Sequence, residues 1–148
     1  NLEWDDFSKE IDLSVKSTFL ILNKFLPLMA KRKSGKIVVI LSSCLLGVPP
    51  IALAHYTSVK STLLGIVRST AAEYANKNVQ INAVSPSMIE TKSLREIDPK
   101  FVALVAHNHP MRRNALPEDV TPIIRFLLSD GSDYINGVNI PITGGSSF

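Results

Sequence analysis

Apolar residues recur in this chain with two periods, and the switches between them predict its elements. From Trp4 to Lys31, the residues Phe7, Ile11, Val15, Phe19, Leu22 and Leu26 come at three- and four-residue steps, the repeat of one helix face. Pro27 falls inside this stretch and is expected to bend the helix or begin a new turn, because proline donates no backbone hydrogen bond. Ile37 to Leu41 is apolar without alternation, as a parallel strand covered on both faces would be. The loop Gly47-Val48-Pro49-Pro50 leads to a second helix from Ala54 to Ala75, with Val59, Leu63, Ile66, Val67 and Thr70 on its packing face. Val79 to Val84 reads as another buried strand. A loop from Ser87 to about Arg113 follows, with a short helix near Asp98 to His107; Pro117 then opens a helix to Ser129. Val138 to Ile142 is the last strand, and Pro141 puts it at a sheet edge. Strands alternating with helices predict an α/β fold on a parallel sheet.

Composition narrows the class. With 148 residues, 45% apolar and 20% charged, the chain can bury a core as one folded domain. A net charge of +3 is too small and too dispersed for a nucleic-acid surface, so no nucleic-acid partner is expected. The densest basic cluster, Lys31-Arg32-Lys33, sits where cations complement a helix C-terminus. A single cysteine, Cys44, excludes an internal disulfide and fits a reducing, cytoplasmic compartment. Uninterrupted apolar runs fall short of a bilayer's thickness, so no membrane partner is expected.

The chemistry concentrates in Tyr56-Thr57-Ser58-Val59-Lys60, thirteen residues after Ser43. A Tyr and a Lys four residues apart share a helix face, so the ammonium is expected to favour the ionised phenol. A phenol of pKa roughly 10 needs a drop of about three units, roughly 4 kcal/mol, to serve as an acid near neutral pH. Ser43, at the end of a strand, would donate to a carbonyl oxygen that gains negative charge. Together these residues describe a site for reducing a ketone or oxidising an alcohol.

On these motifs the chain resembles the C-terminal half of the short-chain dehydrogenase/reductase family. Gly35 to Ser43 is similar to the family's fifth strand with its active-site serine, and Tyr56 with Lys60 to its catalytic helix. Val79 to Pro86 with Met88-Ile89-Glu90-Thr91 is similar to the sixth strand and its cofactor turn. Pro110 to Arg113, Pro117 to Val120, Phe126 to Asp130, and Ile135 to Gly137 with Gly144-Gly145 match the closing segment in order. The resemblance implies a Rossmann-type doubly wound parallel sheet, with residues 1–148 forming the C-terminal part of one oxidoreductase domain, about three strands with long helices. It implies NAD or NADP as cofactor and a small-molecule carbonyl or alcohol as substrate. Tyr56 would be the acid/base, Lys60 would hold the nicotinamide ribose, and Ser43 would orient the carbonyl. Pro86, Ser87, Met88, Ile89 and Thr91 would contact the cofactor. A homodimer or homotetramer, joined through the long helices and last strand, is implied as well.

Two positions depart from the family pattern. Ser14 stands where an asparagine supports a proton-relay water, and Ser87 stands where a glycine follows the proline, so a reshaped turn is expected. None of the seven glycines forms a glycine-rich turn between strand and helix, the usual cradle for a dinucleotide pyrophosphate. These residues are therefore expected to belong to a longer polypeptide, inactive as an isolated piece and exposing a strand edge at Ile37 to Leu41. The alternative is a catalytically lapsed or truncated relative with a binding or assembly role.

Other residues carry blander expectations. Cys44 reads as a small buried thiol and His55 as a bystander. His107 and His109 read as part of a mobile loop over the substrate, or else as solvent-facing loop residues; Arg112 and Arg113 read as solvated charges ahead of contacts for an acidic substrate tail, and no metal site is expected.

Overall fold

A computed structural model describes residues 3–147. Three parallel strands form its sheet: β1 (Gly35–Ile40), β2 (Val79–Pro86) and β3 (Asn139–Ile142), in that order across it. β1 pairs with β2 from Gly35 opposite Val79 to Ile40 opposite Val84, and β2 pairs with β3 from Ala83 opposite Asn139. β2 is central and buried along its whole length, which suits its apolar side chains. β3 is an edge, as Pro141 requires. β1 is the other edge and only partly buried, in place of a strand covered on both faces.

Helices cover both sides of the sheet. On one side, α2 (Ser17–Arg32) and α3 (Ala54–Tyr74) bring Leu22, Leu26, Leu63 and Val67 against Val79, Ile81 and Ala83. On the other, α5 (Pro117–Leu127) brings Val120 and Leu127 against Val84. The two layers meet at β2 and hold its C-terminal end in place. A shorter helix, α4 (Pro99–Asn108), starts where the Asp98 carboxylate accepts a hydrogen bond from the Lys100 N–H at 2.9 Å.

The long N-terminal helix differs from expectation twice. It runs without interruption through Pro27 and instead changes pitch earlier: α1 (Trp4–Glu10) passes into a π-helical turn at Ile11–Lys16 before α2. Its span from Trp4 to Arg32 contains an 18-residue stretch with a mean hydropathy of 1.2, long and apolar enough to cross a membrane by length and composition. Reading uninterrupted runs missed this because widely spaced charges break the sequence but not the helix. Phe19, Leu20, Phe25 and Leu28 lie exposed along it, so its hydrophobicity exceeds what the sheet side uses.

Candidate active site

The C-terminal ends of β1 and β2 and the N-terminal turn of α3 converge on one region. β1 continues into Leu41, whose N–H donates to the Val84 carbonyl at 2.8 Å. Ser42 stays extended, then Ser43 enters a tight 3₁₀ turn capped by the Ser42 hydroxyl, which accepts from the Cys44 N–H at 3.3 Å. The loop re-enters a helix at Ala54, so Tyr56 and Lys60 stand on the first two turns of α3, one above the other. The Lys60 ammonium lies 5.5 Å from the centre of the Tyr56 ring and donates to the Ile40 carbonyl at 3.3 Å.

Two details differ from the sequence expectation. The serine that eases the Tyr56 phenol downward is Ser42, while Ser43 lines an open cavity of about 560 Å³. Burial pushes the half-buried phenol above its ordinary value, and the bond from Ser42 only partly offsets this. The phenol is thus raised in this structure, where the sequence reading expects Lys60 to lower it, because burial is the largest influence on it. Burial likewise draws Lys60 below the usual lysine range, with a smaller opposing influence from Cys44.

Ser14 falls within the π-helical turn. It shares a cavity of about 300 Å³ with Lys60 and the edge of β1, while its own carbonyl accepts from the Ser17 hydroxyl at 3.3 Å. A wider helical turn is a common device for re-aiming groups at functional sites.

The segment after β2 is tied back to the chain by backbone hydrogen bonds. Ile89 bridges Ala115 in parallel fashion through the Met88 carbonyl, which accepts from Ala115, and the Glu90 N–H, which donates back to Ala115. In this pattern the N–H of Ile89 points to the opposite side, where it can meet a ligand. Ser87 is anchored by its N–H to the Ile142 carbonyl at 3.1 Å and lies outside the left-handed region, so a serine is accommodated there without backbone strain. The exposed Thr91 hydroxyl donates to Ser93 at 3.4 Å and keeps its acceptor capacity. A free backbone amide at Ile89, an adjacent hydroxyl and a lysine with donors to spare are the groups a nicotinamide carboxamide and ribose would need. The residues present fit that part of a dinucleotide.

The closing segment corrects the expectation for His109, while Arg113 is solvent-exposed, as expected, and is ion-paired there. His109 is buried: its Nε2 side meets the Thr143 carbonyl at 2.8 Å, and Nδ1 accepts from the Met111 N–H at 3.1 Å. Arg113 is paired with Asp119 through two contacts, Nη1 to Oδ2 at 2.5 Å and Nη2 to Oδ1 at 2.8 Å. The Arg113 guanidinium and the Leu116 N–H hold the Asp119 carboxyl well below the usual carboxylate range. Cys44 is buried, as expected.

Ser42 is the serine acting on the phenol, where the sequence reading named only Ser43. Its adjacency to Ser43 was visible, but only the point where the strand gives way to the turn decides which hydroxyl faces the phenol.

Comparisons with known proteins agree with this geometry. A family model described as Enoyl-(Acyl carrier protein) reductase matches residues 1–147. The chain is 34% identical to dehydrogenase/reductase SDR family member 4 of Bos taurus over 145 residues, 97% of this chain and 50% of the relative. Among solved structures, ElxO with NADP bound matches at a TM-score of 0.89 and 32% identity, over 98% of this chain and 59% of that one. A 3-oxoacyl-(acyl-carrier protein) reductase from Brucella melitensis with bound NAD matches at 0.88 and 26% identity, over 98% and 53%. The chain therefore spans about half the length of the relatives it matches.

Proposed function

The chain belongs to the short-chain dehydrogenase/reductase family, and from that premise we propose that it carries the acid/base half of an NAD- or NADP-dependent oxidoreductase acting on a small carbonyl or alcohol. The observation that carries this reading is the stacking of Lys60 over Tyr56 beside the serine turn at the end of β1. A nicotinamide held by Lys60, Ile89 and Thr91 would supply the hydride chemistry. This chain's residues handle the other half of the reaction.

In reduction, Tyr56 gives its proton to the carbonyl oxygen as negative charge develops there, and in oxidation it takes the proton back. Ser43 lines the open cavity and donates to the same oxygen, while Ser42 steadies the phenol. Lys60 holds the ribose, and with Ser14 across their shared cavity it leads a replacement proton toward Tyr56. The amide of Ile89 and the hydroxyl of Thr91, in the turn formed by Pro86, Ser87 and Met88, hold the carboxamide.

The chain forms the C-terminal part of one Rossmann-type domain, and the strand that would pair with the open edge of β1 comes from elsewhere in the polypeptide. Assembly into a dimer or tetramer would cover the exposed apolar residues of α2. The test is Tyr56→Phe in the intact protein, assayed by oxidation of NADH or NADPH with a ketone. Turnover should fall by roughly 100-fold or more, since the acid is lost while the ring still packs. Near-normal turnover in that variant would defeat the assignment.

A further inference from the structure

A smaller cavity, of about 220 Å³, lies behind the turn that follows β2. Ala115 stands in its wall and also makes both bonds to that turn: its N–H donates to the Met88 carbonyl at 2.9 Å, and its carbonyl accepts from the Glu90 N–H at 2.8 Å. The Ile89 N–H points the other way, so this cavity and the proposed cofactor contact lie on opposite faces of the turn. Every residue that lines the cavity comes from Ser87 onward, at the β3 end of the sheet. The open edge of β1 takes no part in it.

The wall offers apolar surface and one unmet polar atom. Met111, Ala115 and Ile142 give it aliphatic faces. Its charged groups are already matched, because the Arg113 guanidinium and the Asp119 carboxylate bond each other through two contacts. His109 is committed as well, with Nε2 against the Thr143 carbonyl and Nδ1 accepting from the Met111 N–H. Asn114 is the exception. It is only 3% exposed, and its Nδ2 donates to the Val102 carbonyl at 3.3 Å, which fixes the orientation of the amide. Its Oδ1 is buried and has no hydrogen-bond partner among the described residues. A buried acceptor left bare costs about 1–3 kcal/mol, which a donor brought in through the cavity would remove.

We propose that this cavity is a second binding site, for a small uncharged molecule with an apolar body and one O–H or N–H donor that meets the Asn114 carboxamide oxygen. Phenols, short alcohols and primary amides have this form. A cavity of roughly 150 Å³ holds benzene, so this one admits a single ring with a substituent. Carboxylates and phosphates are excluded, since they bring acceptors to an acceptor and find the guanidinium already paired. A lone water could reach Asn114, but a buried water needs about two to four polar partners and would leave Met111 and Ile142 uncovered. The site stands apart from the oxidoreductase reading and does not depend on it.

The test titrates the intact protein with the small molecules phenol, toluene and benzoate by calorimetry, and soaks its crystals in phenol. Phenol should bind about tenfold tighter than toluene, which has the same shape without the donor, and benzoate should not bind measurably. The soaked crystal should show the ring between Met111 and Ile142 with its oxygen on Asn114 Oδ1. Saturating NADPH should leave phenol bound, since the two occupy opposite faces of the turn. Asn114→Leu removes the acceptor at similar volume, and its preference for phenol over toluene should fall to about twofold or less, with Tm unchanged or raised. Equal binding of phenol and toluene by the parent protein, benzoate binding as well as phenol, or displacement of phenol by NADPH each overturns the proposal. A crystal of the intact protein in which water alone, another segment of the polypeptide or a second subunit fills the cavity overturns it too. If Asn114→Leu does not fold, the parent protein's ligand preference and the position of phenol in the crystal still decide.

Discussion

The Lys60 ammonium is tied to the Ile40 carbonyl, 3.3 Å away, at the last residue of the open edge strand. This single bond couples the catalytic helix to the end of β1, and so fixes where the cation sits relative to the phenol. Lys60→Met keeps the aliphatic stem and removes every donor. Stability should change by no more than about 1 kcal/mol, because the lost hydrogen bond is offset by relief from half-burying a charge. Cofactor KM should rise and kcat fall, together by roughly 100-fold, measured by steady-state kinetics with cofactor varied. Unchanged cofactor affinity would remove Lys60 from the ribose site.

The two neighbouring serines should separate by pH profile. Ser43→Ala removes a donor to the developing oxyanion and should lower kcat/KM by about 100-fold at every pH. Ser42→Ala removes the bond that eases the phenol downward, so its main effect should be to move the phenol's limb of the rate profile to higher pH. If the Ser43 variant shifts that limb and the Ser42 variant does not, the roles are reversed.

Stability at alkaline pH offers a test that needs no cofactor. A phenol raised in the folded state binds its proton more tightly there than in the unfolded chain. Its contribution is complete below the ordinary phenol value, roughly 10, and is lost as pH climbs through the folded value. Tyr56→Phe cannot lose it. Urea midpoints taken between pH 8 and 11 should therefore fall more steeply for the parent protein than for the variant. Parallel curves would mean that the phenol is not desolvated.

Gly144 marks the tightest spot in the closing segment. A side-chain carbon there would lie 2.7 Å from both the His109 ring and the Met111 sulfur, at a backbone φ of +53°. Gly144→Ala should destabilise the protein by about 1–3 kcal/mol, from clash and left-handed strain together. Thermal denaturation measures this, and a loss below about 0.5 kcal/mol would show that the segment yields.

The sequence alone was enough for the order of elements, the parallel sheet and the pairing of Tyr56 with Lys60, because these rest on local periodicity and helical spacing. Pro141 marked β3 as an edge strand for the same kind of reason: a missing donor is a local fact. Tertiary structure decided what local spacing cannot reach. Which serine meets the phenol depends on where β1 ends and the turn begins. Whether Tyr56 is acidified depends on burial and on where the ammonium stands over the ring, both set by the packing of α3 on the sheet. His109 reads as solvent-facing in a linear string, yet it is buried against Thr143 in the folded closing segment, whereas Arg113 stays exposed and pairs with Asp119 at the surface. Position along the chain fixes which groups are available, but desolvation and distance fix what they do, and those exist only once the layers have packed.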